Sequence, residues 1–309
     1  MTTDTSNITE KNTSLMDKET LLTLATQMCN IANGLLNFMN NKHTEYINNA
    51  RKKYSIFFLN NALHRMDSCV VLLKHGSLSL KGKYETPYID PFSMTILVRS
   101  IYESLVLHYY YIILPQEEHV SDVFIGLWKM SGMYNRLKED MSETIFSTKY
   151  QKEKDEYQRL KSMVMSSVLY KNASRETKNL LDLAMKELKI LKVQTDIDSY
   201  KIIKMTYGMA CGEIFKGTFI EKSAIIVYKL LSAISHPSYL NYMQIKDYSG
   251  TYNKYTETTI EGGIIYLRRL MSDVLKVMPE GNQYIDTLSS NIKSWYNTWD
   301  LGLYKKVNV

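Results

Sequence analysis

Two short segments carry side chains whose types and spacing could do chemistry together. In Tyr228–Tyr242, "YKLLSAISHPSYLNY", Tyr228, Ser232 and His236 stand four residues apart. That spacing stacks all three on one face of a helix. Pro237 biases its predecessor away from the helical region, so His236 is expected at a helix C-terminus. There the macrodipole favours the imidazolium, and a histidine so placed can exchange protons near neutral pH. In Leu97–Leu105, "LVRSIYESL", Arg99 and Glu103 form an i, i+4 pair within an otherwise apolar helix. Buried charge is costly unless partnered. The two polar faces are therefore expected to meet across a helix–helix contact, where Glu103 would raise the proton affinity of His236. The same five residues also read as a buried network that fixes helix register.

These groups need helices to position them, and the chain is written for helices. Five Pro and 13 Gly in 309 residues are too few for a turn-rich all-β fold. A first helix is expected over 17–40, with Leu21, Leu22, Ala25, Met28, Ile31, Ala32 and Leu35 on one stripe. Others are expected over 45–74, 91–114 with Pro115 as its stop, 117–142, 149–170, 174–191, 200–210, 218–236, 260–278 and 284–299. "KVQTDIDS" (192–199) reads as a linker, and "KDYSGTYNKYTETT" (246–259) as a loop or small hairpin. The expected architecture is a single all-α domain over 16–309, a multi-helix bundle of eight to ten helices, behind a disordered N-terminal tail over 1–15.

Composition narrows the function classes. The net charge of +6 comes mostly from Lys and includes no dense basic tract, which speaks against a dedicated DNA-binding module. Cys29, Cys69 and Cys211 are odd in number and contain no CxxC pair, which speaks against a zinc ribbon and a disulfide framework. Free thiols fit a reducing cytoplasm, and the polar N-terminus is no signal peptide. Arg99, Glu103 and His108 interrupt the most apolar stretch, Met94–Leu114, which reads as a core helix and not a membrane span. His64 and Asp67 lack the further ligands of a metal site. Phosphate-loop, dinucleotide, zinc-protease and nucleophile-elbow motifs are absent. "YYY" at Tyr109–Tyr111 could stack on bases but reads first as core and rim. "KYQKEKDEYQRLK" (149–161) reads as a solvated helix face.

Taken in order, "LVRSIYESLVLHYYYI" and, far downstream, "YKLLSAISHPS" resemble a bacterial family of unknown function. Its members carry an R-S-x-x-E helix and a Y-x-x-x-S-x-x-x-H-P segment. The likeness runs from about Leu59 to Tyr242. That family is similar to the HEPN-like helical proteins, which are often toxins or phage-defence nucleases. The resemblance implies a metal-independent ribonuclease in which a His and an Arg act on the 2′-hydroxyl and the scissile phosphate. On it, His236 is the general acid/base, Arg99 steadies the phosphate, Glu103 orients either, and Tyr228 and Ser232 give hydrogen-bonding support. The HEPN signature is an Arg, four to six intervening residues, then a His on one helix, and no Arg here has a His at that spacing. Lys229, with six residues before His236, is the nearest substitute, and Arg99 would supply the guanidinium from the other helix. The expected function is thus an anti-phage defence or toxin effector, cytoplasmic, without cofactor or metal. Its implied partners are RNA, a protein partner or a second copy of itself, and no membrane. The alternative is a non-catalytic helical sensor or partner-binding module of a defence system.

Overall fold

The computed structural model describes residues 16–41, 46, 48–75, 91–139, 145–196, 199–218, 221–234 and 254–300. The expected tail over 1–15 and His236 lie outside the described residues. Asp17 opens α1 (Lys18–Asn40), its carboxylate accepting from the Thr20 N–H at 2.8 Å. The Thr20 hydroxyl and N–H together hold the Asp17 carboxyl below its ordinary range. Leu21, Ala25, Met28, Ala32, Leu35 and Met39 recur at three- and four-residue steps and are fully buried, which gives α1 its inward stripe. The chain continues through α2 (Ala50–His75), α3 (Pro91–His108), α4 (Glu118–Leu137), α5 (Ser147–Ser166), α6 (Val168–Lys171) and α7 (Arg175–Ala184). A hairpin of β1 (Ile190–Asp196) and β2 (Ser199–Met205) follows. The last elements are α8 (Tyr207–Ile214), α9 (Glu221–Ile234), α10 (Lys254–Val277), a 3₁₀ turn over Pro279–Gly281, α11 (Asn282–Thr287) and α12 (Ser290–Asp300).

This is an all-α, multi-helix fold with one small hairpin. Helix α10 packs against α1, α2 and α3, while α8 and α9 cover another side of α3. Close approach at the centre depends on Gly263 of α10. A Cβ there would lie 2.9 Å from Met66 Sδ of α2 and 3.2 Å from Val98 Cγ2 of α3. All three cysteines are free thiols in the interior.

Helix α3 ends sooner than its apolar run suggests. At Tyr109–Ile113 the chain widens into a π-turn, closed by Leu114 N–H donating to Tyr109 O at 2.8 Å. Two side chains satisfy carbonyls inside that turn: Arg51 Nη2 donates to Ile112 O at 2.7 Å and Ser121 Oγ to Tyr111 O at 2.7 Å. Tyr110 and Tyr111 are buried, so the tyrosine triplet belongs mainly to the core.

Four expectations about the elements are corrected. The linker expected over 192–199 and the helix expected over 200–210 are instead mostly the hairpin, with Ile190 opposite Met205 and Val193 opposite Ile202. The β-branched side chains of Ile190, Val193, Ile202 and Ile203 suit extended backbone, and Ile190, Val193 and Ile202 are buried. The helical turn begins only after Thr206, whose hydroxyl accepts from Met209 N at 3.2 Å. Lys254–Thr259 forms the first turns of α10, not a loop. There Thr256, Glu257 and Thr259 are buried, and the Glu257 carboxylate accepts from Lys254 Nζ at 2.6 Å and from Met16 N at 3.3 Å. The helix expected over 284–299 is interrupted by extended Leu288 and becomes α11 and α12. With such breaks the described residues contain twelve α-helical segments.

Candidate functional site

The site is built on the face of α3 that meets α8 and α9. Arg99 and Glu103 are one turn apart on α3, and Arg99 Nε donates to Glu103 Oε1 at 2.9 Å. Their side chains are 20% and 31% exposed, so the pair is sheltered but reachable from solvent. Between them in sequence, Tyr102 turns inward and is fully buried. Its ring centroid lies 4.8 Å from that of Tyr228 on α9, 5.1 Å from Tyr266 on α10 and 6.3 Å from Tyr207 on α8. Tilted aromatic contacts of this length add to area burial and lock the relative placement of four helices. The Tyr102 hydroxyl donates to the backbone carbonyl of Tyr207, and the Cys211 thiol is a second hydrogen-bonding neighbour.

Tyr228 is buried and hydrogen-bonded to Ser232 one turn on. Both charges of the α3 pair act on its phenol: Arg99 favours the phenolate and Glu103 opposes it. Burial outweighs them and moves the Tyr228 pKa up. Tyr207 is likewise pushed up, by burial first and then by Glu103. Both phenols therefore stay protonated near neutral pH and do not act as bases. Burial also pushes the Cys211 thiol up to about 12, which makes it an inert packing group rather than a nucleophile. Tyr266 keeps a buried hydroxyl with no hydrogen-bond partner among the described residues.

The structure thus brings Arg99, Glu103, Tyr228 and Ser232 together across the α3–α9 contact. Lys229 follows Tyr228 directly, is exposed and faces another direction. His236 stands two positions past the last residue of α9, outside the described residues. Sequence reasoning missed Tyr102, Tyr207 and Cys211. Tyr102 carried a signal, since it lies three residues from Arg99 and would share its helix side; Tyr207 and Cys211 carried none.

Comparison with protein-family models, curated proteins and solved structures finds no match. The chemistry of the cluster has to be argued from its own side chains. Among the described residues, no group of three His, Cys, Asp or Glu side chains is placed to hold a metal ion. Among them, too, no helix is long and apolar enough to cross a membrane.

Proposed function

We propose that the protein is a bacterial anti-phage defence or toxin effector with a HEPN-like fold, acting as a metal-independent ribonuclease. The observation that carries this reading is the convergence of the partly open Arg99–Glu103 pair with Tyr228 and Ser232, on the helix that leads to His236. In the proposed reaction the RNA 2′-oxygen attacks the adjacent phosphorus. The P–O2′ bond forms, the P–O5′ bond breaks, and the products are a 2′,3′-cyclic phosphate and a free 5′-hydroxyl. His236 takes the proton from the 2′-hydroxyl and returns one to the departing 5′-oxygen. Arg99 stabilises the charge that builds on the non-bridging oxygens, and Glu103 fixes the guanidinium through its Nε. Tyr228 and Ser232 hold the α9 side of the site in register.

A second reading has an observation in its favour. Ile96, Met209 and Ile226 are exposed apolar side chains on α3, α8 and α9, the same three helices. Exposed apolar side chains on neighbouring helices are available to a protein partner or a second copy of the chain, as a non-catalytic module would need. Induced expression in a bacterial host separates the two. Wild type arrests growth, and Arg99→Ala and His236→Ala each restore it at equal protein level. Arrest by both variants as strong as by wild type would overturn the nuclease reading and favour partner binding.

A further inference from the structure

Helix α5 is rich in charge, yet its charges are unevenly engaged. Glu156 is held by Lys129 and by Arg159, the latter at 2.7 Å, and its carboxyl is drawn down to about 2. Glu153 is gripped by Arg136 through two bonds of 3.1 Å, and Asp155 accepts from Gln151 at 2.7 Å. These contacts occupy three carboxylates of the helix. Lys138 and Lys154 form no salt bridge among the described residues. Instead the Lys138 ammonium lies 4.8 Å from the Tyr134 ring centroid and the Lys154 ammonium 6.0 Å from that of Tyr150.

These residues share one groove. On α5, Tyr150, Lys154 and Tyr157 recur at i, i+4 and i+7 and so form a single stripe. At the end of α4, Tyr134 and the C-cap residue Lys138 form the matching i, i+4 step, and the Tyr134 and Tyr157 rings meet at 6.2 Å. Between the helices lies a hollow of about 200 Å³, with Leu137 in its wall. A second hollow adjoins it at Tyr150 and is lined by Arg136, Phe146, Lys149 and Glu153. The two together present four cations against one carboxylate, and that carboxylate is already bonded to Arg136. All three tyrosines are partly exposed, and Tyr157 also packs on the core.

We propose that this α4–α5 groove binds single-stranded nucleic acid. Aromatic faces spaced along a positively charged groove are what a flexible polynucleotide needs: bases stack on the rings while phosphates meet the ammonium groups. A cation resting on a ring and lacking an acidic partner can turn to a phosphate without breaking a salt bridge. Tyr150 and Tyr157 are about 10 Å apart along the helix at 1.5 Å per residue, which separates two stacking positions. A duplex keeps its base faces covered and cannot use them, so the groove is selective for single strands. None of the Arg99 cluster lies on α4 or α5, and binding here is independent of the proposed cleavage.

Fluorescence anisotropy on the full chain tests this. The probes are labelled 2′-O-methyl oligouridine, which the proposed cleavage cannot cut, oligothymidine, and a duplex of equal length. Wild type binds both single strands and leaves the duplex largely unbound. Tyr150→Ala weakens single-strand binding by roughly 5- to 100-fold, the worth of one stacked base, and Tyr150→Phe binds as wild type. The surface pair Lys138→Glu/Lys154→Glu, which touches no core, lowers the salt slope of binding by about 1.4, as expected for two lost phosphate contacts. Absence of single-strand binding by the wild type, a duplex bound as tightly as the single strand, or an unchanged salt slope in the double variant would each overturn the assignment. So would polyglutamate displacing the probe as well as unlabelled oligouridine does, since that marks the groove as an acidic-protein site.

Discussion

Between pH 7 and pH 5 the protein loses about 2 kcal/mol of stability through one residue, His108. This imidazole is buried completely at the end of α3. Its Nε2 lies 2.9 Å from Ser55 Oγ on α2, while Nδ1 is buried with no hydrogen-bond partner among the described residues. Burial lowers its pKa from 6.5 to about 4; Asp273 pulls the other way, and Lys276 and Arg51 reinforce the lowering. The folded state therefore keeps the ring neutral, while the unfolded chain takes up a proton below pH 6.5. Stability from this source is whole above the unfolded value and is lost as pH falls towards 4, to a total of about 3 kcal/mol. Urea unfolding at the two pH values measures the loss. In Ser55→Ala/His108→Leu, which removes both hydrogen-bonding partners together, the difference between pH 7 and pH 5 shrinks by about 2 kcal/mol. Histidine NMR gives a second reading: the His108 ring stays neutral at pH 5. A His108 titrating near its ordinary value would contradict its buried placement.

Tyr102→Ala costs about 3–5 kcal/mol, the range for deleting a large buried aromatic. Its ring is in contact with Tyr207, Tyr228 and Tyr266, so truncation opens a cavity where α3, α8, α9 and α10 meet. Tyr102→Phe keeps the ring and loses the bond to the Tyr207 carbonyl, for a cost of about 0.5–1.5 kcal/mol, the usual worth of one hydrogen bond. Urea midpoints at pH 7 rank the series as wild type, Phe, Ala. A Tyr102→Ala variant as stable as Tyr102→Phe would mean that this aromatic cluster does not hold the candidate site together.

Much of the helical frame was legible because it obeys simple periodicity. The stripe of α1 and the caps at Asp17 and Ser174 follow from spacing and side-chain type, and the Ser174 hydroxyl accepts from Thr177 N as its position suggests. The Arg99–Glu103 pair was readable for the same reason, since i, i+4 charges on an apolar helix have few other partners. The hairpin was not. Ile190–Asp196 has only Ile190, Leu191 and Val193 as apolar residues, too few to set a helical or a strand period, and its pairing with Ser199–Met205 decides the matter. The start of α10 was hidden by the polarity of Thr256, Glu257 and Thr259; the Glu257 carboxylate is met there by Met16 N, distant in sequence. The π-turn at Tyr109 has no signature of its own; Arg51 and Ser121, from α2 and α4, hold its carbonyls. The aromatic contacts of Tyr102 with Tyr207 and Tyr266 likewise join segments about a hundred residues or more apart in sequence, beyond the reach of any local pattern.

The proposed function requires that the Arg99–Glu103 pair and the segment ending in His236 form one metal-independent cleavage site. Its most direct test is incubation of the purified full chain with mixed RNA in EDTA, beside Arg99→Ala and His236→Ala, with end-group analysis of the products. Wild type is expected to cleave and leave 2′,3′-cyclic phosphate ends, and neither variant, each of them folded, cleaves above background. Intact RNA with the wild type, or equal cleavage by all three proteins, would contradict the proposed function.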